Sequence, residues 1–151
     1  MGECSHTVFL GLGSNLGDRR QILLNAYSQI EKLIGPLVGQ SAFYDSEPWG
    51  FASSHRFLNS VVCCETMLSP RVVLRETQQI ERSLGRRQKS VDGVYHDRPI
   101  DIDILLYDDL HINQYDLRIP HPLMLQRDFV MLPLTEILIF VKSREKTAVF
   151  K

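Results

Sequence analysis

Two hydrophobic periods alternate along the chain: short apolar or alternating runs, and longer stretches with apolar residues three and four apart. Residues 7–12, Thr-Val-Phe-Leu-Gly-Leu, predict a buried strand running into a turn at Gly13-Ser14-Asn15-Leu16-Gly17. Asp18 begins a helix, with Gln21 three residues on in a capping-box-like position. Leu23, Ala26, Tyr27, Ile30, Leu33 and Ile34 recur at helical spacing until Gly35-Pro36 ends the element. Residues 37–44 predict a second strand, and residues 45–54, punctuated by Pro48 and Gly50, a long loop. Residues 57–67 alternate, with Phe57, Asn59 and Val61 on one face and Leu58, Ser60 and Val62 on the other. Ser69-Pro70 starts a second helix with an inner stripe of Val73, Thr77, Ile80 and Leu84, and Gly85 stops it. Residues 86–98 form a polar, basic loop. Residues 100–107 are the clearest strand, followed by short extended pieces near His111 and at residues 117–119. A last helix is expected within residues 129–138, with Pro133 near its start, and residues 142–151 as a loose basic end.

Strand, helix, strand, strand, helix, strand is the split β-α-β order of an α+β, ferredoxin-like sandwich: a mainly antiparallel sheet covered by helices on one side. With 151 residues and no repeat or linker, the chain is expected to form a single domain over residues 1–151. No apolar run approaches a membrane span, and the opening residues, with Glu3 and no apolar stretch, do not resemble a secretory signal. A cytoplasmic protein is expected. Cys4, Cys63 and Cys64 offer neither a disulfide framework nor metal-ligand spacing, so the adjacent pair reads as packing residues on opposite faces.

Charge sharpens this picture. The net value of -1 argues against a long nucleic acid as partner, but it sums unlike segments. Residues 99–117 carry five aspartates and no Lys or Arg, between two segments with a basic excess. That pattern suits one metal-bound polyphosphate.

The candidate chemistry centres on Asp101-Ile102-Asp103. Alternation puts Ile100, Ile102 and Ile104 in the core and both aspartates on the other face. Carboxylates two residues apart on a strand can converge on a pair of metal ions, and their hard oxygens suit Mg²⁺. The alternative is an ordinary amphipathic strand with a solvated acidic face. Arg86, Arg87, Lys89 and Arg98 supply basic groups for phosphate; Arg86 and Arg98 are best placed, while Arg87 and Lys89 read as solvated. The Gly-rich turn at residues 11–17 fits neither a dinucleotide fingerprint nor a Walker loop. It reads as a turn with Asn15 and Asp18 as local caps, although the following helix N-terminus could receive an anion. His121 is held between Pro120 and Pro122 with Arg127 close by, and reads equally as structural or functional. Gln78 and Glu81 share the outer face of their helix and alone read as solvated surface.

Taken together, Gly11-Leu12-Gly13-Ser14-Asn15-Leu16-Gly17-Asp18, Phe57-Leu58-Asn59, Arg98-Pro99-Ile100-Asp101-Ile102-Asp103-Ile104-Leu105, and Ile119-Pro120-His121-Pro122 with Arg127-Asp128-Phe129 resemble the 6-hydroxymethyl-7,8-dihydropterin pyrophosphokinase family of folate biosynthesis. The resemblance spans roughly residues 7–137. It implies an ATP-dependent diphosphotransferase that moves the β,γ-pyrophosphoryl unit of ATP to the hydroxymethyl group of a reduced pterin and releases AMP. It implies Asp101 and Asp103 as ligands of two Mg²⁺ ions, and Arg86 and Arg98 as catalytic groups on the triphosphate. Gln78, Glu81, Ile104, His121 and Arg127 would line the nucleotide site with them. Ser46, Glu47, Trp49, Phe57, Asn59 and Phe129 would hold the pterin, with Pro48 in the same loop and Phe57 and Phe129 as the stacking pair. Phe57 stands where some members have Tyr, and Ser46 where Thr is common; Tyr95 would be an adenine-loop aromatic. Partners are then small molecules, with no nucleic acid or membrane, and the chain is expected to be a monomer. The rival readings are a non-enzymatic ferredoxin-like module that binds a nucleotide or pterin, and a Mg²⁺-dependent nuclease, which the absence of a basic stripe disfavours.

Overall fold

A computed structural model describes the backbone of residues 5–86 and 96–149 and the side chains up to residue 142. The apolar run near the start becomes β1 (His6–Ser14), central in an antiparallel sheet of order β2-β4-β1-β5. Its neighbours are β4 (Phe57–Thr66) and β5 (Asp101–Tyr107), with β2 (Leu37–Gln40) at the far edge of β4. α1 (Arg19–Leu33) joins β1 to β2, and α2 (Pro70–Ser83) joins β4 to β5. This is the strand order of the ferredoxin-like split β-α-β arrangement, as expected.

Both helix starts follow from local chemistry. The Asp18 carboxylate accepts from the Gln21 N–H at 3.2 Å, and the Ser69 hydroxyl accepts from the Val72 N–H at 3.4 Å, ahead of Pro70. Beyond α2, Gly85 takes φ +103°, which a side chain would strain.

The pleat sorts the core into two layers. Val8, Leu10, Leu12, Val62, Cys64, Ile102 and Ile104 point to one face, where α1 and α2 cover them with Leu23, Ala26, Ile30, Val73 and Ile80. Phe9, Val61, Cys63 and Leu105 point to the other, where α3 (Asp128–Val149) packs Val130, Leu134 and Ile137 on them. Helices therefore cover both sides of the sheet, where the sequence suggested one. α3 leaves part of its face open, at the end where β1, β4 and β5 present Gly11, Gly13, Asn59, Asp101 and Asp103. That opening is the cleft described below.

Other departures have local causes. The strand expected over residues 37–44 is two strands, β2 and β3 (Tyr44–Ser46), both paired with β4. At the break, the Ser41 hydroxyl accepts from the Val61 N–H at 3.0 Å, so a side chain replaces the backbone in the ladder. Asp45 and Ser46 thus belong to a strand and not to the expected loop. The extended pieces form a hairpin, β6 (Ile112–Gln114) and β7 (Leu117–Ile119), whose Leu117 and Ile119 enter the core. α3 runs to Val149, well beyond residue 138, so the tail expected to be loose is helical there. Its charged segment contains good helix formers and no Gly or Pro stop, and loss of apolar periodicity hid the continuation.

Candidate active site

The open part of the α3 face is a cleft of about 590 Å³ of atom-free space, its mouth included, large enough for a bicyclic ring and more. Its floor is the sheet: Gly11 and Gly13 from β1, Phe57, Asn59 and Val61 from β4, and Asp101, Asp103 and Leu105 from β5. Ser46, Glu47 and Trp49 form one wall; Arg98, His121, Arg127 and Phe129 form the other sides. Glycine keeps the floor low. A methyl group on Gly13 would stand 3.1 Å from the Asn59 amide oxygen, and one on Gly11 would crowd Leu105 at 3.3 Å.

At the β5 end the chemistry is acidic and basic together. Asp101 Oδ1 accepts from Arg86 Nη1 at 2.6 Å, and Asp101 Oδ2 lies 3.5 Å from Arg98 Nη2. Asp103 lies two residues further along the same strand, its Oδ2 4.0 Å from His121 Nε2. His121 is fixed twice: its N–H donates to the Leu105 carbonyl at 3.0 Å, and its Nδ1 accepts from the Leu123 N–H at 3.3 Å. Since Nδ1 is an acceptor, the ring proton sits on Nε2 and faces Asp103. No group of three or more His, Cys, Asp or Glu gathers among the described residues. Two carboxylates are too few for an all-protein metal cage but fit Mg²⁺, which keeps waters and takes phosphate oxygens.

The other end is aromatic and amide-bearing. Asn59 Nδ2 donates to the Tyr44 carbonyl at 3.0 Å and to the Ser46 hydroxyl at 2.7 Å. Both amide hydrogens are thereby used, and Asn59 Oδ1, beside Gly13, is the atom presented as an acceptor. Phe57 and Phe129 both line the cleft. The Arg98 guanidinium lies 4.8 Å from the Phe57 ring centroid, and that of Arg127 lies 4.3 Å from the Trp49 centroid. Arg127 and Trp49 thus join the start of α3 to the wall opposite. Glu136, further along α3, holds the same wall: it accepts from the Tyr44 hydroxyl at 2.5 Å and the Ala42 N–H at 3.1 Å.

Eleven of the expected site residues meet on this one cleft: Ser46, Glu47, Trp49, Phe57, Asn59, Arg98, Asp101, Asp103, His121, Arg127 and Phe129. Four do not. Ile104 points into the core under α1 and α2, as its alternation with Ile102 requires, and its side chain does not line the cleft. Glu81 is 2% exposed and not solvated; its Oε2 accepts from the Ile102 N–H at 2.7 Å and lies 3.5 Å from Arg86 Nη1. Arg86, 5% exposed, sits behind Asp101, bridging it to Glu81 and donating to the Ile100 carbonyl at 3.1 Å. Gln78 is half-buried on α2 and does not line the cleft. Arg87, Lys89 and Tyr95 lie outside the described residues.

The residue whose part the sequence reading missed is Asn15. Far from being a local cap, it reaches across to residues 55, 97 and 98. Only its company, Gly-Ser-Asn-Leu-Gly at a strand end, signalled it, and that pattern reads first as a turn.

Residues 9–139 match the family described as 7,8-dihydro-6-hydroxymethylpterin-pyrophosphokinase (HPPK). A 2-amino-4-hydroxy-6-hydroxymethyldihydropteridine pyrophosphokinase of Porphyromonas gingivalis is 53% identical over 131 residues, covering 86% of this chain and 89% of the relative. Its counterpart from Aquifex aeolicus is 41% identical, covering 87% and 79%. Among solved structures, Plasmodium falciparum HPPK-DHPS superposes with a TM-score of 0.70 at 16% identity, over 85% of this chain and 40% of that longer one, which supports the fold. The chain belongs to the 7,8-dihydro-6-hydroxymethylpterin-pyrophosphokinase family.

Proposed function

We propose that the chain transfers the β,γ-pyrophosphoryl unit of ATP to the hydroxymethyl oxygen of 6-hydroxymethyl-7,8-dihydropterin, giving the pterin diphosphate and AMP in tetrahydrofolate biosynthesis. The observation that carries this reading is the meeting, in one cleft, of a carboxylate pair ringed by Arg98, Arg127 and His121 with an aromatic and amide slot. A pterin is flat, apolar on its faces and rich in N–H groups at its edge. Phe57 and Phe129 provide faces for it to pack against, and Asn59 Oδ1 accepts from a ring donor.

Asp101 and Asp103 would hold Mg²⁺, two ions in this proposal, which when bound neutralises phosphate charge and keeps the reacting oxygens in line. Arg98 and Arg127 add guanidinium groups suited to phosphate oxygens, and His121 Nε2–H supplies a further donor. Arg86 acts at one remove: it orients Asp101 from behind and is itself anchored by Glu81. Trp49 and Arg127, stacked across the cleft, must adjust as the two substrates enter, which links the pterin wall to the nucleotide side. A single working domain, a monomer and a cytoplasmic setting belong to the same proposal. Among the described residues no helix is long and apolar enough to cross a membrane.

The test is a product assay with ATP, Mg²⁺ and the hydroxymethyl pterin. AMP and pterin diphosphate should form in equal amounts, and chelation of the metal should stop both. ADP with a monophosphorylated pterin would refute the reaction. Binding of ligand without Mg²⁺ and without product would instead support the non-enzymatic module.

A further inference from the structure

Arg98 reaches the cleft from a segment just before β5, and one buried amide, that of Asn15, bonds its backbone. Asn15 is 2% exposed and follows the last residue of β1. Its Oδ1 accepts from the Arg98 N–H at 2.7 Å, and its own N–H donates to the Arg98 carbonyl at 3.1 Å. Its Nδ2 donates to Asp97 Oδ1 at 2.7 Å and to the His55 carbonyl at 3.2 Å. The backbone of Arg98 is therefore gripped on both its donor and its acceptor by one residue, and the residue before it is gripped by its side chain. The amide cannot be turned over: a flip would aim Nδ2 at the Arg98 N–H and Oδ1 at a carboxylate and a carbonyl.

From this anchored backbone the Arg98 side chain, 13% exposed, passes the Phe57 ring at 4.8 Å and ends 3.5 Å from Asp101 Oδ2. A long side chain on a fixed backbone with a ring to lie on has few arrangements open to it. Released from Asn15, the same side chain would gain freedom that must be lost again on reaching the transition state.

We propose that Asn15 is a positioning residue for the phosphate-handling arginine: it acts on the reaction only through Arg98, by clamping that residue's backbone between β1 and the entry to β5. The inference rests on the pyrophosphokinase reading above and assigns Asn15 no contact with substrate. Asn15→Ala should lower kcat about tenfold or more, with smaller changes in KM, when assayed well below its melting temperature. A purely structural role would also lower activity, so the deciding readout is a cycle with Arg98→Ala. Asn15→Ala should cost almost nothing further in the Arg98→Ala background, since the group it positions is already gone.

A second pair of variants guards against misfolding. Asn15→Asp keeps the acceptor for the Arg98 N–H but sets a carboxylate against Asp97. It should be impaired, and Asp97→Asn should restore much of the loss by supplying an amide donor in return. Independent, multiplicative losses from Asn15→Ala and Arg98→Ala would overturn the proposal, as would Asn15→Asp with unchanged kcat. The parent reading fails separately: wild-type protein would then yield no AMP at all, whereas failure of the clamp leaves wild-type AMP formation intact.

Discussion

Asp101 and Asp103 share a strand face and an expected metal role, yet they are not equivalent. Asp101 accepts the charge-assisted hydrogen bond of the buried Arg86 Nη1 at 2.6 Å, alongside Glu81, whereas Asp103 is the more exposed, at 27% against 18%. Asp101→Ala should therefore lose turnover and about 2 kcal/mol of stability, the usual worth of a charge-assisted hydrogen bond. Asp103→Ala should lose turnover by about 10³-fold while stability changes by less than about 1 kcal/mol. Urea unfolding and single-turnover rates on both variants separate these outcomes. Acid acts on another carboxylate. Burial pushes Asp97 up, but hydrogen bonds from Ser53 and Asn15 and the charges of His55 and Arg98 outweigh it, leaving the group below its ordinary 3.8. A depressed folded-state value means the stabilisation is present above pH 3.8 and is lost as pH falls through the lower folded value. Asp97→Asn should flatten the acid limb of the stability profile, read as urea midpoint against pH. Cys63 and Cys64 are pushed to about 11 and about 12, mainly by burial, so neither should react with iodoacetamide in folded protein at pH 8.

At the scale of elements, Leu134 is 1% exposed where α3 meets Phe9, Val61 and Leu105, and Leu134→Ala should cost about 3 kcal/mol by urea unfolding. Because α3 also carries Phe129 at its start and Glu136 against the opposite wall, the same variant should raise KM for the pterin. The legibility of the sequence divides along these lines. Alternation was enough to pair Phe57 with Asn59 on one face of β4 and Asp101 with Asp103 on one face of β5, since a strand's period is rigid; that the two faces are the same side of the sheet came only with the register through β1. A helix stripe is a weaker guide: Glu81, four residues after Thr77, flanks the buried stripe of α2, and its carboxylate is taken up by β5's edge and Arg86. Asn15 was opaque for a related reason. Its partners lie 40 and more residues away, and no local pattern distinguishes a capping amide from one that reaches across the fold. The second helical layer was missed because α3 pairs with residues of alternate parity on strands already explained by α1 and α2.

For the whole molecule, the two faces of one sheet divide the labour. One is sealed by α1 and α2 and supplies stability; the other is half covered by α3 and keeps the remainder as a cleft. The acidic strand between two basic segments, visible as a charge pattern in a chain of net charge -1, becomes in space a carboxylate pair with guanidinium groups around it. Transfer of two phosphoryl groups as a unit to a pterin is the step proposed for this cleft. It is tested most directly by following ATP labelled at the β-phosphorus through a single turnover with Mg²⁺ and 6-hydroxymethyl-7,8-dihydropterin. The label should appear in the pterin product, with unlabelled AMP; label retained in ADP, or released as free pyrophosphate with the pterin unlabelled, would refute the transfer.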